Sequence, residues 1–261
     1  MKLIKRILLA LAAVVVLLVL VVGGVIASAF LGNDPLPESA ELPGGARLIK
    51  DGFVAAFVLP AGGNDVALID CGNDPDAKAI LAELKRRGSD RESVKEIFLT
   101  HGHGDHTAGC HQFPNADVMA FPGDIELAAG TKGGPGLITK QFKNGPLQRV
   151  TVTHPLHDGS TIQLGDLSVR VFAIPGHTDG SAAYLARGVL YLGDSATNRK
   201  DGTFAGAAKV TSVDSAQNHA SLRALWKRIE AEHLEVKFLA PAHSAPREGT
   251  ESYEAFAHGN D

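Results

Sequence analysis

Cysteine occurs only twice in the 261 residues, at Cys71 and Cys110. Two thiols cannot make the disulfide framework of a small secreted scaffold, and neither has the spacing of a cysteine zinc site. They are read here as buried thiols, with a bridge as the alternative in an exported chain. A basic excess is also missing. The formal net charge is −4, and setting aside the three positive charges of residues 1–31 leaves −7 for residues 32–261. A domain this acidic matches a phosphate backbone poorly, so nucleic acid is not expected as a partner. No internal repeat or low-complexity tract is present, which excludes a repeat array.

Acidic residues are absent from the first 31 positions. Lys2, Lys5 and Arg6 precede an uncharged run of 25 residues from Ile7 to Leu31. As a helix that run is roughly 37 Å long, enough for a hydrocarbon core of about 30 Å. It has no polar face, which argues against a buried core helix. Charge at its start only places the rest of the chain outside the cytoplasm. Two readings stay open: a membrane anchor through residues 7–31, favoured by length, or a signal segment cleaved near Ala29 after Ala27-Ser28-Ala29. Residues 32–46, rich in Pro, Gly and acidic side chains, read as a linker, and residues 47–261 as the catalytic domain.

Strands are predicted at 53–59 and 66–70 around a Gly-Gly-Asn-Asp turn. A helix follows, with Asp74 as its cap, Pro75 at its first position and Gly88 at its end. Ile80, Leu81 and Leu84 form its apolar stripe. Residues 94–99 read as a strand, a short helix starts near Thr107, and 118–121 is a short strand. The Gly-, Lys- and Pro-rich loop 129–146 has no period; its Lys132, Lys140 and Lys143 are read as solvated, with contact to an anionic substrate as the alternative. Strands return at 161–164, 167–173, 182–185 and 189–192. Asp214 or Ser215 caps a long helix with Leu222, Leu225, Trp226 and Ile229 on one face. A strand at 236–240 and a helix at 250–258 complete a layered α/β protein.

The chemistry concentrates in residues 99–106, Leu-Thr-His-Gly-His-Gly-Asp-His. Three histidines and an aspartate in six residues supply the nitrogen and oxygen donors of a catalytic zinc site. In extended backbone, positions 101 and 103 point to one side. Asp105 and His106 then face a second point. Gly102 and Gly104 are read as letting the backbone turn sharply. Ser181 and Ser195 lie beside site motifs but read as turn residues. No serine or cysteine nucleophile is needed.

The string His101-Gly-His103-Gly-Asp105-His106 resembles the HxHxDH signature of the metallo-β-lactamase superfamily. Further motifs in family order extend the resemblance over roughly 47–245: Asp70 in Ile-Asp-Cys-Gly, His177 in Pro-Gly-His-Thr, Asp194 in Tyr-Leu-Gly-Asp and His243 in Ala-Pro-Ala-His. The resemblance implies a four-layer αββα sandwich with two zinc ions at one edge. His101, His103 and His177 would hold the first ion. Asp105, His106 and His243 would hold the second, with Asp194 bridging. Asp70 would orient the metal loop from behind. The implied reaction is hydrolysis of an ester, lactone, thioester or amide carbonyl, or a phosphoester, by a hydroxide shared between the metals, with Asp105 orienting the attacking water.

A bridging aspartate at 194 departs from the dedicated β-lactamases. The 18 residues after His243 do not supply the helical substrate domain of glyoxalase II-like thioesterases. The Pro-Ala-His-Ser ending departs from the commoner Gly-His-Gly form. Two other readings remain, an iron-loaded oxidoreductase on the same ligands and a non-catalytic membrane-tethered binding module.

Overall fold

Alternation decides the layers. In the computed structural model, which describes residues 2–134 and 143–259, successive strand residues enter different cores. The chain divides into two units, 1–32 and 33–261.

In the first unit, α1 (Lys2–Phe30) is a single helix of 29 residues. It is long and apolar enough to cross a membrane. The second unit opens with β1 (Ser39–Glu41), β2 (Arg47–Asp51), β3 (Val54–Pro60), β4 (Val66–Ile69), α2 (Lys78–Arg87) and β5 (Val94–Phe98). Next come α3 (Gly104–Thr107), β6 (Asp117–Ala120), α4 (Ile125–Ala128), β7 (His154–Pro155), β8 (Thr161–Leu164) and β9 (Leu167–Ala173). The chain ends with β10 (Ala182–Ala186), β11 (Val189–Gly193), β12 (Ala196–Asn198), β13 (Phe204–Gly206), α5 (Ser215–Ala231), β14 (Phe238–Pro241), β15 (Arg247–Glu248) and α6 (Glu251–His258).

One sheet runs in the order β1-β2-β3-β4-β5-β6-β7 and the other β15-β14-β11-β10-β9-β8. Both are mixed: β4, β5, β6 and β7 pair in parallel in the first, β11 and β14 in the second. Along β3, Ala55, Phe57 and Leu59 enter the core between the sheets, while Ala56 and Val58 pack outward with Ile80 and Leu84 of α2. Along β11, Val189 and Tyr191 face the inter-sheet core, and Leu190 and Leu192 pack with Leu222, Leu225, Trp226 and Ile229 of α5. The period of two thus gives each sheet two buried faces. The result is the helix–sheet–sheet–helix sandwich that the motifs imply. Truncating a fully buried side chain such as Leu222 to Ala is expected to cost about 2–5 kcal/mol.

Local details depart from the sequence reading. The linker expected at 32–46 is corrected: Ser39–Glu41 pair antiparallel with β2, and Leu42 and Ala46 are buried in the inter-sheet core. Helix α2 starts at Lys78, because Ala77 adopts a left-handed φ of 49° that separates Pro75 from the helix. Asp74 instead closes the preceding turn, accepting the N–H groups of Asp76 and Lys78. Gly88 does end the helix, at φ 77°. Asp214 caps α5 by accepting the Gln217 N–H at 3.0 Å. The two cysteines are not free thiols: Cys71 and Cys110 form a disulfide, with Cα atoms 5.2 Å apart. Folding brings together two residues 39 positions apart, which spacing alone does not reveal.

Candidate metal centre

Every residue of the expected cluster lies just beyond the carboxyl end of a strand. Asp70 follows β4, residues 101–106 follow β5, His177 follows β9, Asp194 follows β11 and His243 follows β14. Strands β4 and β5 are parallel, and β9, β11 and β14 share one direction through the antiparallel β10. Their ends therefore open on one edge of the sandwich. Cross-links hold that edge together: Ala182 N–H donates to Thr100 O and Ala55 N–H to Ala242 O, at 2.8 and 2.9 Å.

The side chains form two groups. His101, His103, His177 and Asp194 each offer a donor atom within 4.8 Å of the others, and Asp105, His106 and His243 do the same. His101 Nε2 lies 2.9 Å from His103 Nδ1, and His177 Nε2 lies 3.2 Å from both. Asp194 faces both groups. Its Oδ2 is 3.6 Å from His177 Nε2, and its Oδ1 is 3.2 and 3.1 Å from the Nε2 atoms of His106 and His243.

Hydrogen bonds behind the rings select the tautomers. Thr100 Oγ1 donates to Asp70 Oδ2 at 2.7 Å, so it accepts from His101 Nδ1 at 3.2 Å. Ser212 Oγ donates to Ala208 O and accepts from His177 Nδ1 at 3.3 Å. His106 Nδ1 donates to Asp70 Oδ2 and His243 Nδ1 to Phe53 O, both at 2.8 Å. Each of these four rings therefore turns Nε2 towards the site. The Nε2 lone pairs of His101 and His177 face one another with no proton between them. Ligand atoms around a tetrahedral zinc, with bonds of about 2.0–2.1 Å, lie about 3.3 Å apart. His106 Nε2 and Asp194 Oδ1 are close but not aligned, and both are buried without a hydrogen-bond partner among the described residues. Such orphaned donor atoms fit a pair of cations, and histidine with carboxylate suits zinc or iron.

Electrostatics separate the groups. Burial holds His101 well below the ordinary histidine value, lowers His103, and brings His177 down to about 3. These are neutral imidazoles, as metal binding requires. Burial opposes protonation of His106 too, but the Asp194 and Asp70 carboxylates outweigh it and raise its pKa well above the ordinary value. Burial is likewise outweighed at His243, which Asp194 and Asp105 lift to about 10. Burial pushes Asp105 up, yet His106 and His243 pull it down to about 2. The carboxylates of Asp70, Asp105 and Asp194 and the rings of His106 and His243 thus hold in place a charge pattern that divalent cations can replace.

The glycines act differently from the sequence reading. Gly102 and Gly104 are not among the residues with positive φ; Gly102 is needed for space against neighbouring backbone, whereas Gly104 faces the end of the Gln148 side chain. A Cβ at Gly102 would lie 2.8 Å from Ala128 N, and one at Gly104 2.5 Å from Gln148 Nε2. Asp70 is the residue with the unusual backbone, at φ 59°, a region aspartate tolerates better than most residues. Its Oδ1 accepts the Thr100 N–H at 2.8 Å. Ser181 serves its turn by accepting the Thr178 N–H. Lys132 is ion-paired with Asp179 at 2.6 Å, Lys143 is exposed, and Lys140 lies outside the described residues. Tyr184 and Tyr191 are buried packing residues. Sequence reasoning missed Ser212, Phe53 and Asp124. The first two reach the site through contacts 35 and 190 residues apart, and no motif marks them.

Comparison with known proteins agrees with this geometry. The family model of the metallo-beta-lactamase superfamily matches residues 49–243. The chain is 32% identical over 136 residues to a hydroxyacylglutathione hydrolase of Vibrio cholerae serotype O1, covering 50% of this chain and 42% of that protein. It is 32% identical over 181 residues to a hydroxyacylglutathione hydrolase of Acidiphilium cryptum, covering 69% of this chain and 58% of that one. The match thus spans about half the length of these curated relatives. Among solved structures, a B3 metallo-beta-lactamase with an active-site glutamic acid superposes with a TM-score of 0.63 at 22% identity, over 89% of this chain and 90% of that one. A metallo-beta-lactamase from Novosphingobium pentaromativorans gives 0.62 at 22% identity, over 87% and 88%. These two likenesses concern the fold. With ligand motifs, two-sheet sandwich and family match all falling on the same residues, the chain belongs to the metallo-beta-lactamase superfamily.

Proposed function

We propose that this protein is a two-metal hydrolase, loaded with zinc, that cleaves an ester-, lactone-, thioester- or amide-type carbonyl or a phosphoester. One observation carries the reading: the two oxygens of Asp194 face two separate histidine groups, Oδ2 towards His177 and Oδ1 towards His106 and His243. His101, His103 and His177 would hold one ion and Asp105, His106 and His243 the other. Two bound cations supply Lewis acidity and water ionised near neutral pH. The chain's own residues do the rest. Asp70 fixes His106 and Thr100. Asp105, partly exposed and anionic, accepts a hydrogen bond from the attacking water and orients it.

Thioesters head the substrate classes, because curated relatives 32% identical to this chain are named as hydrolases of hydroxyacylglutathione, a thioester. Phe53 supports a substrate with an apolar portion. It is 60% exposed and stacks on His243 with ring centroids 5.7 Å apart. Such a platform beside a ligand can bind the part of a substrate that does not react. The α1 segment acts as a membrane anchor, with the catalytic unit outside the cytoplasm. Basic residues at its start and the Cys71–Cys110 disulfide support that placement. Recovery of the protein in a soluble fraction, shortened near residue 30, would instead mean a cleaved signal.

The test is elemental analysis of the purified protein with a parallel screen of thioesters, esters, lactones, phosphodiesters and β-lactams. Two zinc ions per chain are expected, with hydrolysis that chelators abolish. His103→Ala is expected to lower metal content and cut turnover more than ~100-fold. Iron in place of zinc, or no metal in the wild type, overturns the reading.

A further inference from the structure

We propose that Asp124 is the positioning residue of the first metal site: one carboxylate that clamps the His101–His103 loop to the His177 loop. The inference rests on the two-metal reading above and extends it to a residue outside the ligand motifs. Asp124 lies in the turn after β6, in Phe-Pro-Gly-Asp, and is 1% exposed. Its Oδ2 accepts the Gly102 N–H at 2.8 Å and the Thr178 hydroxyl at 2.7 Å. Its Oδ1 accepts the Gly180 N–H at 2.9 Å. Gly102 is the residue between His101 and His103, and Thr178 is the residue after His177. All three histidines of the first group therefore hang from segments tied to this one side chain.

The surrounding backbone leaves no slack. A Cβ at Gly180 would lie 2.5 Å from Asp124 N, and one at Gly123 2.7 Å from the Asp179 backbone. The Thr178 hydroxyl, committed to Asp124, accepts in turn from Ser181 Oγ at 2.7 Å. A second anchor supports the same loop, since Asn144 Nδ2 donates to Gly102 O at 2.9 Å. None of these bonds reaches Asp105, His106 or His243. The second group has its own carboxylate, Asp70, bonded to His106. Asp124 thus serves the first site alone, whereas Asp70 stands behind the second and also reaches His101 through Thr100. A buried carboxylate costs free energy unless hydrogen bonds satisfy it. Three donors satisfy this one, and all three come from the ligand loops.

Substitution Asp124→Asn keeps the shape but replaces one accepting oxygen with an amide that faces N–H or O–H donors. The full-length protein and this variant are titrated with zinc against a competing chelator, and cobalt absorption gives a second readout. The expected result is one metal equivalent weakened about 10- to 100-fold while the other is unchanged. Thr178→Val, which removes one of the three bonds to Asp124 together with the Ser181 contact, should weaken that same equivalent by less. In a His177→Ala background, where the first site is already broken, adding Asp124→Asn should leave the remaining metal unchanged. Equal loss of both equivalents overturns the proposal. So does loss of neither with only a lower unfolding temperature of the metal-free protein, which would make Asp124 a purely structural residue. A wild-type protein that binds no metal overturns the two-metal reading itself, and this inference with it.

Discussion

Asp70 accepts the Nδ1–H of His106 at 2.8 Å, with both side chains fully buried. The contact joins residues 36 positions apart, from the ends of two parallel strands. It presents His106 Nε2 to the second site and, through Thr100, also steadies His101. Asp70→Asn is therefore expected to weaken metal binding about 10- to 100-fold. Metal titration of the variant checks this. An unchanged affinity would show that backbone packing alone orients the rings.

Phe53 stands at the tip of the β2–β3 hairpin, and its carbonyl accepts the His243 Nδ1–H. Phe53→Ala retains that carbonyl and removes the exposed ring. The expected outcome is full metal content with KM raised roughly 5- to 30-fold, corresponding to about 1–2 kcal/mol of apolar contact. A fall in kcat at unchanged KM would instead mean that the ring positions His243 rather than the substrate.

Glu83, on α2, is buried among arginines. Its carboxylate meets Arg86 Nε at 2.7 Å, Arg87 Nε at 2.5 Å and Arg47 Nε at 3.4 Å. Burial pushes its pKa up, but Arg86 and Arg87 outweigh this and hold it below the ordinary value of 4.5. A depressed folded-state pKa stabilises the fold above the unfolded value and loses that effect as pH falls through the folded value. Glu83→Gln should therefore cost about 1–2 kcal/mol at pH 7, the exposed side of Arg86 being screened by solvent. The difference from wild type should shrink as pH falls below about 4.5. Chemical denaturation of both proteins across pH 3–7 measures it, and a constant difference would contradict the assignment.

The candidate ligand set was legible in the chain because ligand chemistry constrains residue type at short range. His101, His103, Asp105 and His106 fall within six residues, so their convergence needs only a strand end and a turn. Element types were also readable, since burial on both faces of β3 and β11 leaves continuous apolar runs, and α5 shows its cap and stripe. Sequence periodicity stops at the element, however. It does not say which strand lies beside which, so β1 was hidden inside a Pro- and Gly-rich stretch. It does not say that Cys71 meets Cys110.

What the amino-acid sequence determined by itself was the family, the candidate metal donors and the apolar N-terminal helix, all of them local patterns of residue type. Only the tertiary structure decided what stands behind those donors. Asp124 lies in an ordinary Phe-Pro-Gly-Asp turn, and Ser212 and Phe53 have no motif. Each acquires its role because strand ends from two sheets open on one edge, where a buried polar group must find its partner wherever the fold places it.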